Sequence, residues 1–515
     1  MLQNLRNIAV VSLSTVGSRV LGLVRDILVF AALGAGLWNS AFILAQTLPN
    51  LFRRLLGEGA LTSAVVPVFS DVMERDGQPA AFRFLNQVLV RLCLALLGLV
   101  TGGMLLLAWL GHSGWLNENW SLASKLAVVL LPYMLCICMA AIICAGLNLV
   151  GRFAVAASTP ILLNLAMIGM VSIGMCWSDS TPVLVYWLCG GVLLGGLLQL
   201  LLPAWDLYRQ GWRPSLRLVP ATEMAELWSL FLPGLLGAAV LQLNILISRV
   251  LAYSLDESAA SLLYLASRLM ELPLGVFTIA VATVFFPLLA KAVSAKDETA
   301  FADSLLQGLR LVVAVGWPAG VGLIVLGHPI LQVLFQWGAF DAVGVRATVP
   351  LIAIYGLGLP FYSIATFCTR GLHARKDMRT PVRVAGICLC VNAISAVILM
   401  QFFGVSGLAL ANVLAAVLQS VLLWRKLSGP LELLSLGRLR PAFGQILLAG
   451  LLMGIFCYLG VRLGALLDWS DKAQAILVVA LLVPGGATLY FVLLKLLRFE
   501  ELEQLVQLIL KRRLR

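Results

Sequence analysis

Long, uninterrupted apolar runs dominate the pattern of residues along the chain, as at 92–110 and 476–497. A helix that crosses a bilayer needs about 20 mostly apolar residues, whereas the strands of a membrane barrel alternate apolar and polar positions. Continuous runs of this length predict helices, because only helices and closed barrels satisfy every backbone polar group inside lipid. We expect about fourteen transmembrane helices, at 7–33, 40–70, 84–111, 123–150, 155–176, 182–207, 225–253, 259–288, 303–327, 346–371, 381–402, 406–427, 442–466 and 474–497.

Composition favours the same fold class, an all-α polytopic membrane protein. Hydrophobic residues make up 61% of the 515 residues and charged residues 12%, against about 45–50% and about 25% in soluble domains. The ten cysteines have no metal-ligand spacing, and the sequence has no phosphate loop of the Gly-x-x-x-x-Gly-Lys type. The sequence therefore predicts a protein that is not an enzyme and has no cofactor. A membrane-embedded glycosyltransferase is the remote alternative.

Basic residues are concentrated in the loops of one side of the membrane. If the N-terminus is cytoplasmic, the loops after even-numbered helices are cytoplasmic too, and these loops carry most of the basic loop residues, as expected for that side. The loops on the opposite side carry only Lys125, Arg346, Arg462 and Lys472. This predicts a multi-pass protein of the bacterial inner membrane with both termini in the cytoplasm, and it explains the net charge of +12 without nucleic acid. The tail at 499–515 is predicted to be an amphipathic helix that touches anionic membrane lipid.

Several sequence landmarks recur about 220 residues apart, which predicts an internal repeat of six helices. An even number of helices keeps both copies in one orientation, as in parallel-repeat transporters, whose substrate sites lie between the lobes. We expect an N-terminal six-helix lobe at 1–220, a C-terminal six-helix lobe at 221–430 and two additional helices at 431–498. The recurring pairs are Pro67 with Pro287, Pro160 with Pro381, and Gln199 with Gln419.

Ionisable side chains occur inside the first, second, seventh and eighth predicted helices, where lipid burial costs about 2.5–3.5 kcal/mol each. We therefore expect a water-filled cavity that keeps these groups hydrated. Because arginines outnumber acids in it, the expected substrate is an anionic, phosphate-bearing amphiphile. The alternative is a structural role. The acids would then form ion pairs that hold helices together, and the side chains of Arg54 and Arg249 would extend to the membrane–water interface. The predicted substrate-binding residues are Arg19, Arg25, Asp26, Arg53, Glu58 and Arg268.

Five stretches carry patterns more specific than hydropathy. They are SRVLGLVRDILVFAALGAG at 18–36, LPNLFRRLLGEGALTSAVVPVFSD at 48–71, SRLMELPLGVFTIAVATVFFPLLAK at 267–291, LFQWGAF at 334–340 and GLHARKDMRTP at 371–381. Together they resemble the MurJ/MviN lipid II flippases, a family of the MOP exporter superfamily, and the likeness runs along the whole chain.

The resemblance implies fourteen helices in two lobes and a function in cell-wall synthesis. The implied activity is translocation of the undecaprenyl-pyrophosphate-linked peptidoglycan precursor from the cytoplasmic to the periplasmic leaflet, by alternating access. The last two helices of the family form a groove for the lipid tail. Many relatives carry an acid near the start of the second helix, where this chain has Asn39 and Ser40. The family's cavity arginines and acids match Arg19, Arg25, Arg53 and Arg268, and Asp26 and Glu58.

Other functions of the same superfamily are kept as alternatives. One is a flippase for another lipid-linked oligosaccharide, and another is a multidrug exporter, for which an acidic cavity is expected. The partners implied by the resemblance are lipid II and membrane lipid. Partners among the cell-wall synthesis proteins, and coupling to the membrane potential or to a monovalent cation, are left open by the sequence.

Overall fold

The computed structural model describes residues 2–57, 59–218, 223–429 and 436–502, which lie mostly in long helices and contain no strand. Two of the helices are continued by π-helical turns, at Arg53–Gly57 and Leu274–Thr278. The helices are α1 Leu2–Leu33, α2 Leu37–Phe52, α3 Ala60–Asp76, α4 Gln78–His112, α5 Glu118–Leu149, α6 Phe153–Trp177, α7 Thr181–Arg209, α8 Glu223–Leu255, α9 Ala259–Pro273, α10 Ile279–Ser294, α11 Glu298–Leu334, α12 Ala342–Ala374, α13 Arg379–Phe403, α14 Val405–Ser428, α15 Arg440–Gly464 and α16 Asp471–Leu496.

The predicted fold class is confirmed. Within the described ranges, thirteen helical segments are long and apolar enough to cross a membrane by length and composition. Each coincides with one predicted helix, and α1 adds a further helix of 32 residues outside that set. The predicted number of fourteen is therefore approximately right. The second and eighth predicted helices are each broken in two, into α2 with α3 and α9 with α10.

Short polar signals fix where several helices begin. The side chains of Asn117, Asp297, Asp341 and Ser470 each accept a hydrogen bond from a backbone N–H in the first turn that follows. Between α12 and α13, the carboxylate of Asp377 accepts hydrogen bonds from Thr380, which lower the pKa of that carboxyl below its ordinary value. These polar residues lie at the ends of long apolar helices, so their hydrogen bonds satisfy backbone groups that the helices themselves leave without a partner.

The chain forms two compact units. Unit 1 comprises Met1–Ser261 and Trp337–Phe340. In it, α1 lies along α6, and α5 packs against α2, α4 and α7. The short segment 337–340 is an integral part of unit 1, because the ring of Phe340 meets that of Phe30 edge to face at 5.3 Å and the N–H of Ala339 donates to the carbonyl of Ala31.

Unit 2 comprises Leu262–Gln336 and Asp341–Arg515, with α11 packed against α10, α12, α15 and α16. The hydroxyl of Tyr490 on α16 donates to the carbonyl of Ala314, 2.8 Å away. The two additional helices thus belong to the same compact unit as α11. The two compact units follow from packing, whereas the predicted lobes follow from a sequence repeat. The packing therefore does not test the lobe boundaries, which stay a prediction. Most of the predicted amphipathic tail, at 503–515, lies outside the described residues.

We expect Gly320→Ala to destabilise unit 2 by about 1–3 kcal/mol, the usual effect of overpacking. A Cβ at Gly320 collides with the backbone carbonyl of Gly356 on α12, which has no side-chain freedom to move aside. Thermal unfolding of the full chain in detergent measures the loss. Gly322→Ala is the matched control, since nothing lies within 4 Å of its Cβ on the same helix. Equal loss in both variants contradicts the prediction.

Candidate functional site

Two broken helices carry predicted site residues. The π-helical turn after α2 begins at Arg53, four residues beyond Pro49, and the turn after α9 follows Pro273 directly. Proline has no N–H to donate to the preceding turn, so it favours such a break. Single π-helical turns are frequent at functional sites. The half-buried side chain of Arg53 therefore extends from a part of the helix whose backbone is already irregular.

Asp26 and Asn164 are two of the partners that hold the side chain of Arg25 on α1 in unit 1. Its Nε and Nη2 donate to Oδ1 of Asp26, at 3.0 and 2.7 Å, and its Nη1 donates to Oδ1 of Asn164 on α6, at 3.1 Å. The side chain of Arg25 is 14% exposed and that of Asp26 only 4%. A pair this deep is retained because removing one partner leaves an uncompensated charge.

The other unit 1 cations have different surroundings. Arg19 is half-buried on α1, and the described residues give its side chain no hydrogen bond or ion pair. Arg249 on α8 donates to the hydroxyl of Thr47 on α2, and that hydroxyl in turn donates to the carbonyl of Ile43. Arg249 is thus a second helix-to-helix contact made by an arginine in unit 1.

Arg268 belongs to unit 2 and makes a longer and more exposed ion pair. Its Nη1 lies 3.4 Å from Oε2 of Glu271, and the two side chains are 28% and 50% exposed. An ion pair this exposed contributes little, on the order of 0–1 kcal/mol. Arg54 is exposed, and its predicted position at the membrane–water interface stays a prediction. Glu58, the last predicted site residue, lies outside the described residues.

Near the start of the second predicted helix, where many relatives carry an acid, this chain has the uncharged residues Asn39 and Ser40. Ser40 is fully buried on α2, and its hydroxyl accepts a hydrogen bond from the N–H of Ser261 in the first turn of α9. The hydroxyl of Ser261 donates to the carbonyl of Ala35. Neutral hydroxyls therefore make this contact within unit 1, and no ionisable group of α2 takes part in it.

Sequence reasoning missed two polar residues of the site. Asn164 and Thr47 are 5% and 3% exposed, and each contacts an arginine of another helix. Both are single uncharged residues inside apolar runs, so a search for charges passes over them. The available signal was the low abundance of amide side chains in a helix such as α6, where a buried amide needs hydrogen-bond partners.

The chemistry offered by these residues is attraction of an anion. Guanidinium groups donate in a planar fork that matches phosphate oxygens. In the described part of the chain, no three residues among His, Cys, Asp and Glu are placed to hold a metal ion.

The apolar helices and their half-buried arginines define an all-α, multi-pass membrane transporter. A family model described as "Lipid II flippase MurJ" matches residues 29–467. The chain therefore belongs to the lipid II flippase MurJ family, whose members reside in the inner membrane. This confirms the resemblance found in the sequence.

Curated relatives agree over most of the chain. A protein of Rhizobium meliloti, named probable lipid II flippase MurJ, is 34% identical over 82% of this chain and 80% of its own length. A protein of the same name from Rhizobium tropici is 32% identical over 93% of this chain and 91% of its own length. A Vibrio cholerae protein, again of that name, is 34% identical over 81% of this chain and 82% of its own.

Solved structures share the fold. A structure described as lipid II flippase MurJ in an inward closed conformation has a TM-score of 0.76 and 27% identity, covering 94% of this chain and 97% of that chain. An inward-facing multidrug-resistance MATE transporter of the MOP superfamily has a TM-score of 0.65 at 14% identity, covering 80% of this chain and 95% of that chain. The second similarity concerns the fold alone.

We expect Asp26→Asn to destabilise the protein by about 3 kcal/mol, because it removes a carboxylate charge 2.7 Å from the largely buried guanidinium of Arg25. Thermal unfolding in detergent measures this. The double variant Arg25→Gln, Asp26→Asn should recover most of the loss, since it removes both charges. Glu271→Gln serves as the exposed control, with a change of at most about 1 kcal/mol. Wild-type stability of Asp26→Asn would show that the ion pair contributes nothing.

Proposed function

We propose that the chain is a lipid II flippase, which translocates the undecaprenyl-pyrophosphate-linked peptidoglycan precursor from the cytoplasmic to the periplasmic leaflet by alternating access. The observation that carries the proposal is the set of arginines held inside apolar helices, in a chain that belongs to the MurJ family. The relatives named above carry this activity in their names.

The proposed substrate-binding residues are Arg19, Arg25, Asp26, Arg53, Glu58 and Arg268. A pyrophosphate carries several negative charges and many acceptor oxygens, and it matches groups that can only donate. Arg19 supports this role, because its half-buried guanidinium has no protein partner among the described residues. Asp26 reduces the net charge around Arg25, which lets the headgroup leave again after transfer.

The proposed transport cycle needs no covalent step by the protein. Arginines attract the headgroup, the polyprenyl tail stays in lipid, and the two lobes alternate in exposing the arginines to each side. We keep the predicted lobes, 1–220 and 221–430, as part of the proposal. They are supported by the two π-helical turns, Arg53–Gly57 and Leu274–Thr278, which fall about 220 residues apart, in the register of the sequence repeat.

Orientation and partners complete the proposal. The basic loops favour a cytoplasmic location for both termini. Lipid II is the proposed substrate and membrane lipid the solvent, and the protein acts as a carrier rather than as an enzyme. A multidrug exporter for cations is disfavoured, because the charges inside the helices are mainly arginine.

Complementation of a strain depleted of its own flippase tests the proposal. Arg25→Ala, Arg53→Ala and Arg268→Ala should each fail to support growth, because the pyrophosphate loses a charged donor. Lysine at the same positions separates two requirements: growth means that charge suffices, and failure means that the planar fork of arginine is needed.

Arg54→Ala is the matched control, since Arg54 is the exposed neighbour of Arg53, and it should support growth. Protein levels in the membrane are compared for every variant. Normal growth with all three alanine variants contradicts the proposal. Depletion of the unaltered chain should lower the level of periplasmic precursor, and an unchanged level also contradicts the proposal.

A further inference from the structure

Asn164 is an isolated polar side chain on an apolar helix. It lies on α6, is 5% exposed, and has hydrogen bonds at both ends of its amide. Its Oδ1 accepts from Nη1 of Arg25 at 3.1 Å, and its Nδ2 donates to the backbone carbonyl of Ser18 at 3.0 Å. A buried amide left without partners is costly, so these two bonds explain how it is tolerated there.

The two bonds fix which way the amide faces. The carbonyl of Ser18 can only accept, so it takes the NH2 end, and the guanidinium of Arg25 can only donate, so it takes the oxygen end. A flipped amide would place its oxygen against the carbonyl oxygen of Ser18 and its NH2 group against the guanidinium of Arg25. Ser18 and Arg25 are seven residues apart on one face of α1, so Asn164 spans two turns of that helix.

Asp26 and Asn164 hold the guanidinium of Arg25 in different ways. Asp26 takes the edge formed by Nε and Nη2 and supplies one negative charge. Asn164 takes Nη1 and supplies no charge. A second carboxylate in its place would add a negative charge beside Arg25 and weaken the attraction of the guanidinium for a phosphate. A neutral acceptor orients the arginine without adding a charge.

We infer that Asn164 is a positioning residue for substrate recognition: it sets the plane of the Arg25 guanidinium toward the pyrophosphate without cancelling its attraction. This inference rests on the proposed function. It adds α6, a helix without a charged residue between Phe153 and Trp177, to the elements that shape the site. It also predicts that asparagine and aspartate, nearly equal in size, are not interchangeable at this position.

Binding of a pyrophosphate-linked polyprenyl lipid to the full chain in nanodiscs tests the inference. Asn164→Ala should weaken binding about tenfold, because the guanidinium of Arg25 loses an orienting acceptor, and Asn164→Asp should weaken it more, because the added carboxylate repels the phosphate. In an Arg25→Lys background, Asn164→Ala should bring no further loss, because the fork that it orients is gone. Stability is measured in parallel by thermal unfolding.

Gln199 on α7 provides the matched control. It is 3% exposed, and its amide joins α7 to α6 by donating to the carbonyl of Thr159. Gln199→Ala should lower the unfolding temperature as Asn164→Ala does, with unchanged lipid affinity. Equal affinity of the two variants, or a further loss from Asn164→Ala in the Arg25→Lys background, would overturn the positioning role. A wild-type chain that does not bind the pyrophosphate lipid would instead overturn the proposed function.

Discussion

The structure of unit 1 depends on how a guanidinium is kept inside an apolar helix bundle. Arg25 is 14% exposed, and a charge in that position needs both a counter-charge and hydrogen-bond acceptors. Asp26 provides the first from the same helix, and Asn164 provides an acceptor from α6. The close packing of α1 along α6 is therefore tied to the orientation of one arginine.

The two ion pairs of these arginines differ in length and exposure. Arg25 and Asp26 are 2.7 Å apart and largely buried within unit 1, whereas Arg268 and Glu271 of unit 2 are 3.4 Å apart and more exposed. Water therefore screens the second pair more strongly than the first. Arg53 and the turn after α9 add backbone irregularity beside prolines, where helices bend at low cost.

Hydropathy was sufficient to predict the all-α fold and the approximate helix number, because lipid requires long apolar segments whatever their packing. The charged candidate residues were also visible in the sequence, since an arginine inside such a segment is conspicuous, and their role in binding stays a prediction. The helix breaks at Arg53 and Leu274 were not, because the prolines beside them are compatible with a continuous bent helix. Asn164 was missed since its importance depends on which helix lies next to α1, a property of tertiary packing.

Translocation of two synthetic polyprenyl glycolipids by the purified chain in sealed vesicles tests whether the arginines recognise phosphate. The lipids differ only in the linkage, which is a pyrophosphate in one and an uncharged group in the other. We expect the pyrophosphate lipid to cross rapidly, the uncharged lipid not to cross, and Arg25→Ala to abolish the difference. Equal transfer of both lipids by the wild-type chain would contradict recognition of phosphate by the half-buried arginines.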